Sequence, residues 1–266
     1  MSWNESCGLF KKYGSDEGSP LVIQYLPSSI ASGQAYAFLP HQSEVTQYQF
    51  PMEFASLELA DSLDGEKGSL TPIVCDVSKE EQIQAMFEQI RSQLGGVDVC
   101  VNSAGLSHDA PLLTGATEQW RNMMEVNVLG LCVCTREAVK SMHERGVDDG
   151  HVIQINSGVG HKQYANNPSG HFYSATKFAV TSLVDGLRNE LYASKTHIRV
   201  TSISPGLVET EFSHRMFTHK QEVAVAKYSQ FENLKPEDIA DGVIYALGAP
   251  KHVQVHEVMI NPTEQP

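Results

Sequence analysis

From residue 70 onward, short apolar runs alternate with stretches of helical periodicity, and that alternation leaves few folds open. Strands buried on both faces read as nearly unbroken apolar runs, and each parallel pair needs a crossover of a dozen or more residues, usually a helix. Residues 70–75, 97–102, 151–156, 198–203 and 253–260 read as strands. Helices are predicted between them. The first starts at the capping box Ser78-Lys79-Glu80-Glu81, buries Ile83, Met86, Phe87 and Ile90, and stops at Gly95-Gly96. A second, long helix over 117–144 carries Trp120, Met124, Val128 and Leu131 inward. Others cover 172–193 and 236–247, the last opening on Pro236, where a missing N–H costs nothing. The expected fold class is α/β, a single domain built on a doubly wound parallel sheet.

Residues 1–56 behave differently. They are rich in Ser, Gln, Tyr and Pro and hold no sustained period of 3.6 or 2.0. Within them only 21–26 looks like a strand. The chain is therefore divided into an atypical N-terminal segment, 1–56, and a catalytic remainder, 57–266.

A formal charge of −13 and a pI near 5.2 argue against a nucleic-acid or anionic-membrane surface, either of which needs clustered Lys and Arg. Small molecules are the expected partners. Cys7, Cys75, Cys100, Cys132 and Cys134 show no C-x-x-C spacing and read as reduced thiols. The first 20 residues carry no apolar core of a secretory leader, and no run approaches the ~18 apolar residues of a membrane span, so a soluble, cytoplasmic chain is expected. His252 and His256, four apart in a predicted strand, are poorly spaced to chelate, and no metal site is expected.

Chemistry concentrates at Tyr173-Ser174-Ala175-Thr176-Lys177. Residues four apart on a helix share a face, with Cβ atoms about 5–6 Å apart. A cation so placed favours phenolate and is expected to bring the tyrosine toward working pH as a general acid or base. Taken alone, this spacing reads more readily as a solvated i, i+4 pair, and the rest of the chain reverses that. Three further segments fall at strand ends, where open α/β sheets bind ligands. They are Asn102-Ser103-Ala104-Gly105, Ser157 and Ser204-Pro205-Gly206. Small residues there let backbone approach a flat ring or a ribose. Each also reads singly as a turn, a cap or a loop breaker.

In their order along the chain these features resemble the short-chain dehydrogenase/reductase family, with its Rossmann-type sheet. The likeness runs over about residues 57–266 and includes Asn127 in the long helix. It implies that Tyr173 protonates a carbonyl oxygen as hydride arrives, that Lys177 lowers the tyrosine's pKa and holds the nicotinamide ribose, and that Ser157 binds the substrate oxygen. Asn127 would help relay protons through a water. Asp76, with Val77 beside it, would meet adenine, although Asp76 also reads as a helix-capping carboxylate. Asn102, Ala104 and Gly105 would line the adenosine side. Pro205, Gly206, Val208, Glu209, Thr210 and Glu211 would meet the nicotinamide and its phosphates. NADP(H) is the expected cofactor, with NAD(H) open, and a homo-oligomer through the two long helices is expected.

The same likeness exposes one departure. The family opens with a strand and T-G-x-x-x-G-x-G, whose backbone amides and helix N-terminus hold a pyrophosphate. Here the corresponding stretch reads Ile23-Gln24-Tyr25-Leu26-Pro27-Ser28-Ser29-Ile30-Ala31-Ser32-Gly33, and Gly33 alone remains of the pattern. No Lys or Arg stands between Lys12 and Lys67 to meet a 2′-phosphate. Two readings stay open: an NAD(P)(H)-dependent oxidoreductase of ketones and secondary alcohols with hydrophobic substrates, steroids among them, or a catalytically impaired binding or assembly protein. Residues 212–231, with Met216, Phe217 and Tyr228, read either as an apolar lid or as an ordinary amphipathic helix pair.

Overall fold

The computed structural model describes residues 21–25, 34–39, 69–163 and 167–265. Among them seven strands form one sheet in the order β3-β2-β1-β4-β5-β6-β7. The strands are β1 Leu21–Tyr25, β2 Gln34–Leu39, β3 Ser69–Val74, β4 Val99–Asn102, β5 His151–Ile155, β6 Arg199–Pro205 and β7 Glu257–Ile260. The helices are α1 Glu80–Leu94, α2 Thr117–Met124, α3 Leu131–Glu144, α4 His171–Ala193, α5 Glu211–Met216, α6 Gln221–Tyr228 and α7 Pro236–Leu247. The fold is the expected α/β sheet flanked by helices.

Pairing is parallel from β1 through β4, β5 and β6 to β7. The exception is β2, which lies antiparallel to both β1 and β3. Chain length explains it. Only residues 26–33 connect β1 to β2, too few for the dozen or so that a parallel crossover requires, so the chain must return in the opposite sense. Strand β2 itself was not anticipated from the sequence. Its signal is the β-forming Tyr36 and Phe38 alternating with alanines between the breakers Gly33 and Pro40. Strand β1 does sit inside the sheet, between β2 and β4. Cys7, Gly33, Lys12 and Lys67 lie outside the described residues.

Alternation along the central strands divides the core in two. Cys100, Val152 and Val200 face a cluster with Ile83, Phe87, Leu131, Ala138 and Val184 from α1, α3 and α4. Val99, Val101, Ile153 and Ile203 face Val243 and Leu247 of α7. Helix α1 buries its predicted face and ends on Gly95 at φ 77°, a left-handed cap. Its predicted capping box does not form. Lys79 occupies the N-cap without a side-chain bond, because Ser78 instead donates its N–H and its hydroxyl to Asp76 Oδ1, at 2.9 and 2.7 Å.

The helix predicted over 117–144 is interrupted by a wide π turn, Glu125–Gly130, between α2 and α3. An extra residue in a turn rotates the faces on either side of it, so one 3.6 period cannot describe both halves. Met124 is consequently exposed (37%) and Met123 takes the inward place, while Val128 and Leu131 are buried as expected. Gly130 closes this turn against the loop after β3. A Cβ there would lie 2.4 Å from the Val77 carbonyl oxygen.

One buried titratable group bears on acid stability. His151 on β5 is 1% exposed, with Nε2 2.8 Å from Thr201 Oγ1. Burial, aided by the Arg199 charge, pushes its pKa down to about 3. Between about pH 6.5 and 3 the unfolded chain binds this proton and the folded chain does not, so stability falls as pH drops through that window. Replacing His151→Gln should narrow the stability gap between pH 7 and pH 4 by about 3 kcal/mol. Urea unfolding at the two pH values measures this, and an unchanged gap would contradict it.

Candidate active site

The C-terminal ends of β5 and β6 and the first turns of α4 meet at one place. Backbone pairing carries β5 past its last residue, since Asn156 N–H donates to the Ile203 carbonyl at 2.7 Å. Ser157 follows as N-cap of a 3₁₀ turn, Gly158–Gly160. Its hydroxyl makes two long contacts, donating to the Pro205 carbonyl and accepting from Val159 N–H, both at 3.4 Å. Another 3₁₀ turn, Pro168–Gly170, leads directly into α4. Tyr173 therefore lies in the first turn of that helix and Lys177 one turn further on.

Lys177 is 3% exposed, and its Nζ donates to the Ile155 carbonyl at 2.9 Å. The same nitrogen stands 5.7 Å from the Tyr173 ring centroid. Burial pushes the ammonium down to about 8. The phenol moves the other way. Burial raises the Tyr173 pKa, and the hydrogen bond with Ser157 only partly offsets this. The expected depression of the tyrosine by Lys177 is thus not found. Taking phenolate out of water costs more than a cation 5.7 Å away returns when that cation is itself desolvated and bonded to Ile155. At neutral pH the pair is a protonated phenol beside a largely charged amine, a proton donor rather than a proton acceptor.

Asn127 sits in the π turn, 1% exposed, with its amide fully engaged. Its Oδ1 accepts from Leu106 N–H, and its Nδ2 donates to the Leu106 carbonyl, each at 2.8 Å, and to Thr176 Oγ1 at 3.0 Å. Asn127 thereby fixes the loop after β4 against α4. Asn102, at the end of β4, turns its side chain into the core, where Nδ2 donates to Thr135 Oγ1 at 3.0 Å. Anything it offers a ligand comes through its main chain. Ala104 is buried. Gly105 brings the loop close to both groups, since a Cβ there would lie 3.6 Å from Lys177 Nζ and from Asn127 Oδ1, in ordinary van der Waals contact.

After β6, Gly206 is closely packed by side chains of the C-terminal segment. A Cβ would come within 2.5 Å of Gln265 Oε1 and 2.6 Å of Asn261 Oδ1, while Gly206 N–H donates to the Ile260 carbonyl at 2.7 Å. Val208 bridges to Leu234, and Glu209 N–H donates to the Leu234 carbonyl at 2.9 Å. Thr210 caps α5 by accepting from Phe212 N–H at 3.2 Å. Glu211 opens that helix and pairs with Arg215. Helices α5 and α6 pack through Met216, Phe217 and Ala224. Asp76 and Val77 follow β3, with Val77 buried in the core and Asp76 Oδ1 accepting from the Ser78 N–H and hydroxyl, a local turn ahead of α1 rather than a cap on it.

Several residues of the site escaped sequence reasoning. Phe212 stacks on Tyr173 at a 59° tilt, with centroids 5.4 Å apart. Trp120 and Phe172 lie nearly parallel at 5.6 Å. Thr176, fully buried, anchors Asn127. Lys220 Nζ donates to Asp109 Oδ2 at 2.7 Å, tying the start of α6 to the loop after β4. Their shared signal is proximity to the Tyr173 helix in three dimensions, which no local pattern encodes.

The short chain dehydrogenase family profile matches residues 33–221. Dehydrogenase/reductase SDR family member 11 of Homo sapiens is 53% identical over 201 residues, 76% of this chain and 77% of that protein. Farnesol dehydrogenase of Aedes aegypti is 42% identical over 197 residues, 74% of this chain and 76% of its own. Among solved structures, the closed form of serine dehydrogenase complexed with NADP+ superposes with a TM-score of 0.66 at 34% identity, covering 72% of this chain and 75% of that one. The alcohol dehydrogenase from the archaeon Thermococcus sibiricus complexed with 5-hydroxy-NADP gives 0.63 at 27% identity, over 81% and 83%. Family profile, sequence identity and superposition agree, and the chain belongs to the short-chain dehydrogenase family of oxidoreductases.

Proposed function

We propose that this chain interconverts ketones and secondary alcohols, with Tyr173 as general acid in the reducing direction and NADP(H) as hydride carrier. The observation that carries the reading is a protonated phenol beside a buried amine and a serine hydroxyl at one sheet edge. The closeness of Gly105 to Lys177 Nζ supports a ribose held at the ammonium beside the loop, and the NADP-bound relatives support the choice of dinucleotide. When bound, the nicotinamide supplies or takes the hydride. Ser157 donates to the substrate oxygen as negative charge develops there, and Tyr173 passes its proton to that oxygen. Lys177 orients the ribose and offsets the charge left on the phenol. Asn127 acts through the loop it holds, with a relayed water beside Lys177 as its further role. Residues Asp76 and Val77 and the backbone at Asn102, Ala104, Pro205, Gly206 and Val208 to Glu211 would line the rest of the cofactor.

Phe212, Phe217 and Met216, with Trp120 and Phe172 stacked nearby, favour bulky hydrophobic carbonyl substrates such as steroids. Exposed Met124, Leu129, Phe178 and Leu183 on α2, the π turn and α4 fit a homo-oligomer through these helices. Among the described residues no helix is long and apolar enough to cross a membrane, and a cytoplasmic location is proposed with that.

A second reading has its own support. Only residues 26–33 follow β1 before β2 returns, with one glycine among them, so the pyrophosphate cradle of the family is not present in its usual form. That favours a binding or assembly protein without turnover. Thermal unfolding with NADPH decides between the two. Binding should raise stability by about 2.7 kcal/mol at a hundredfold excess over the dissociation constant. Stabilisation together with NADPH oxidation by a panel of ketosteroids and dicarbonyls supports the oxidoreductase; no stabilisation at millimolar NADPH supports the second reading.

A further inference from the structure

The 3₁₀ turn that carries Ser157 is gripped from two sides. On the α4 side, Ser174 Oγ donates to the Val159 carbonyl at 2.5 Å and Thr181 Oγ1 to the Gly160 carbonyl at 3.0 Å. Contact there is close enough that a Cβ on Gly160 would lie 2.8 Å from the Lys177 carbonyl oxygen. On the sheet side, His161 reaches from the end of the turn toward β6 and β7. Its Nε2 stands 2.7 Å from Glu257 Oε1 and 3.2 Å from Ser204 Oγ. Ser204 Oγ donates to the same Glu257 oxygen at 2.6 Å, and Ser202 Oγ does so at 3.3 Å. Three donors thus converge on one carboxylate oxygen, and Ser202 and Ser204 are buried, at 3% and 0% exposure. Arg188 of α4 lies near enough for the Glu257 charge to act on it, while its own guanidinium bonds Asp185 and the Val200 and His256 carbonyls.

None of these side chains belongs to the proton-transfer set, yet the cluster ends four residues from Ser157. Beside its hydrogen bond with Tyr173, the Ser157 hydroxyl has two contacts of 3.4 Å, both to the backbone around it, so where it points depends on the turn beneath it. We propose that His161, bonded to Glu257 and Ser204, is a positioning residue that holds the turn and thereby aims the Ser157 hydroxyl at the substrate oxygen. The geometry requires a proton on His161 Nε2, because both of its neighbours there serve as acceptors: the carboxylate has no proton to give, and the Ser204 proton is already directed to it. Glutamine at 161 keeps an N–H donor at similar reach, whereas leucine keeps bulk and loses the donor. Because Ser157 bonds the oxygen most strongly as charge develops, a misaimed hydroxyl lowers kcat while leaving KM nearly unchanged.

This inference rests on the proposed oxidoreductase reading for its kinetic arm and has a second arm that does not. His161→Leu should lower kcat for ketone reduction about thirtyfold with KM within threefold, and His161→Gln should recover most of that loss. Made in a Ser157→Ala background, the same His161→Leu change should cost less than twofold, since its effect passes through that hydroxyl. In the cofactor-free chain, hydrogen exchange of the amides at Val159, Gly160 and His161 should quicken at least tenfold in His161→Leu and in Glu257→Leu, with the β4 and β5 amides unchanged. Undiminished loss in the Ser157→Ala background, or exchange at the turn equal to that of the unsubstituted chain in both leucine variants, would overturn the proposal. A chain that reduces no ketone removes the parent reading alone, and the exchange arm still decides the role of His161. Should His161→Leu fail to fold, Glu257→Leu carries both arms.

Discussion

Tyr173→Phe is expected to reduce the rate of NADPH-dependent ketone reduction on the order of 10³-fold while leaving cofactor binding unchanged. The phenol is kept protonated by burial and is hydrogen-bonded to the Ser157 hydroxyl. Removing one oxygen takes away the proton donor and its bond to Ser157 while the ring still packs on Phe212. A positioned acid contributes typically 10²–10⁴-fold, and the lower end of that range would still be unmistakable. Single-turnover rates with saturating NADPH measure it. A variant within fivefold of the unsubstituted chain would mean that the oxygen is protonated from elsewhere.

Lys177→Met is expected to act on activity and stability in opposite senses. The amine is 3% exposed with its pKa pushed down to about 8, so it loses charge more easily than a free lysine. Its folded-state pKa lies below the ordinary value of 10.5, so between pH 8 and 10.5 the unfolded chain binds the extra proton and stability rises with pH. Below pH 8 that burial costs about 3 kcal/mol, a cost methionine does not carry. The Lys177→Met chain should therefore be the more stable at pH 7, and its advantage should shrink as pH approaches 10. Tyr173 is common to both chains and cancels in the difference. Loss of the Ile155 bond works against this gain by about 1–2 kcal/mol, so the pH trend is the sharper reading. Turnover should fall on the order of 10²-fold, because the charge that offsets a developing phenolate is gone. For the same reason, ketone reduction by the unsubstituted chain should decline as pH rises through about 8. A stability difference independent of pH would show that Lys177 keeps its ordinary pKa.

Much of the fold was legible because it is written locally. The face of α1, its stop at Gly95 and the opening of α7 at Pro236 follow from residues within one or two turns, and they appear where the periodicity puts them. The π turn was not legible. It arises where Asn127 must reach Leu106 and Thr176 while Gly130 clears the Val77 carbonyl, contacts distant in sequence. That is why Met124 was assigned inward and Met123 was overlooked. Likewise β2 owes its direction to the short connection from β1, and its place to pairing with β3 thirty residues on.

At the site, the convergence of Ser157, Tyr173 and Lys177 was legible and their electrostatics were not. Ser157, Tyr173, Lys177 and Asn127 meet as their order suggested. The sign of the tyrosine's pKa shift did not follow from spacing, because spacing counts the neighbouring charge and omits burial. Asn102 is similar: its position after β4 was foreseen, but not the Thr135 partner that turns its side chain inward. The glycine loop is the reverse case, an absence that the sequence displays and whose consequence for the dinucleotide only binding can measure.

The most direct test follows the hydride itself. With NADPH deuterated at the transferring C4 position and a bulky ketone as acceptor, the alcohol formed by the unsubstituted chain should carry one deuterium at its carbinol carbon, and the Tyr173→Phe chain should form almost none in the same time. Alcohol without deuterium, or no bound NADPH and no alcohol at any cofactor concentration, would contradict hydride transfer at the Tyr173 site.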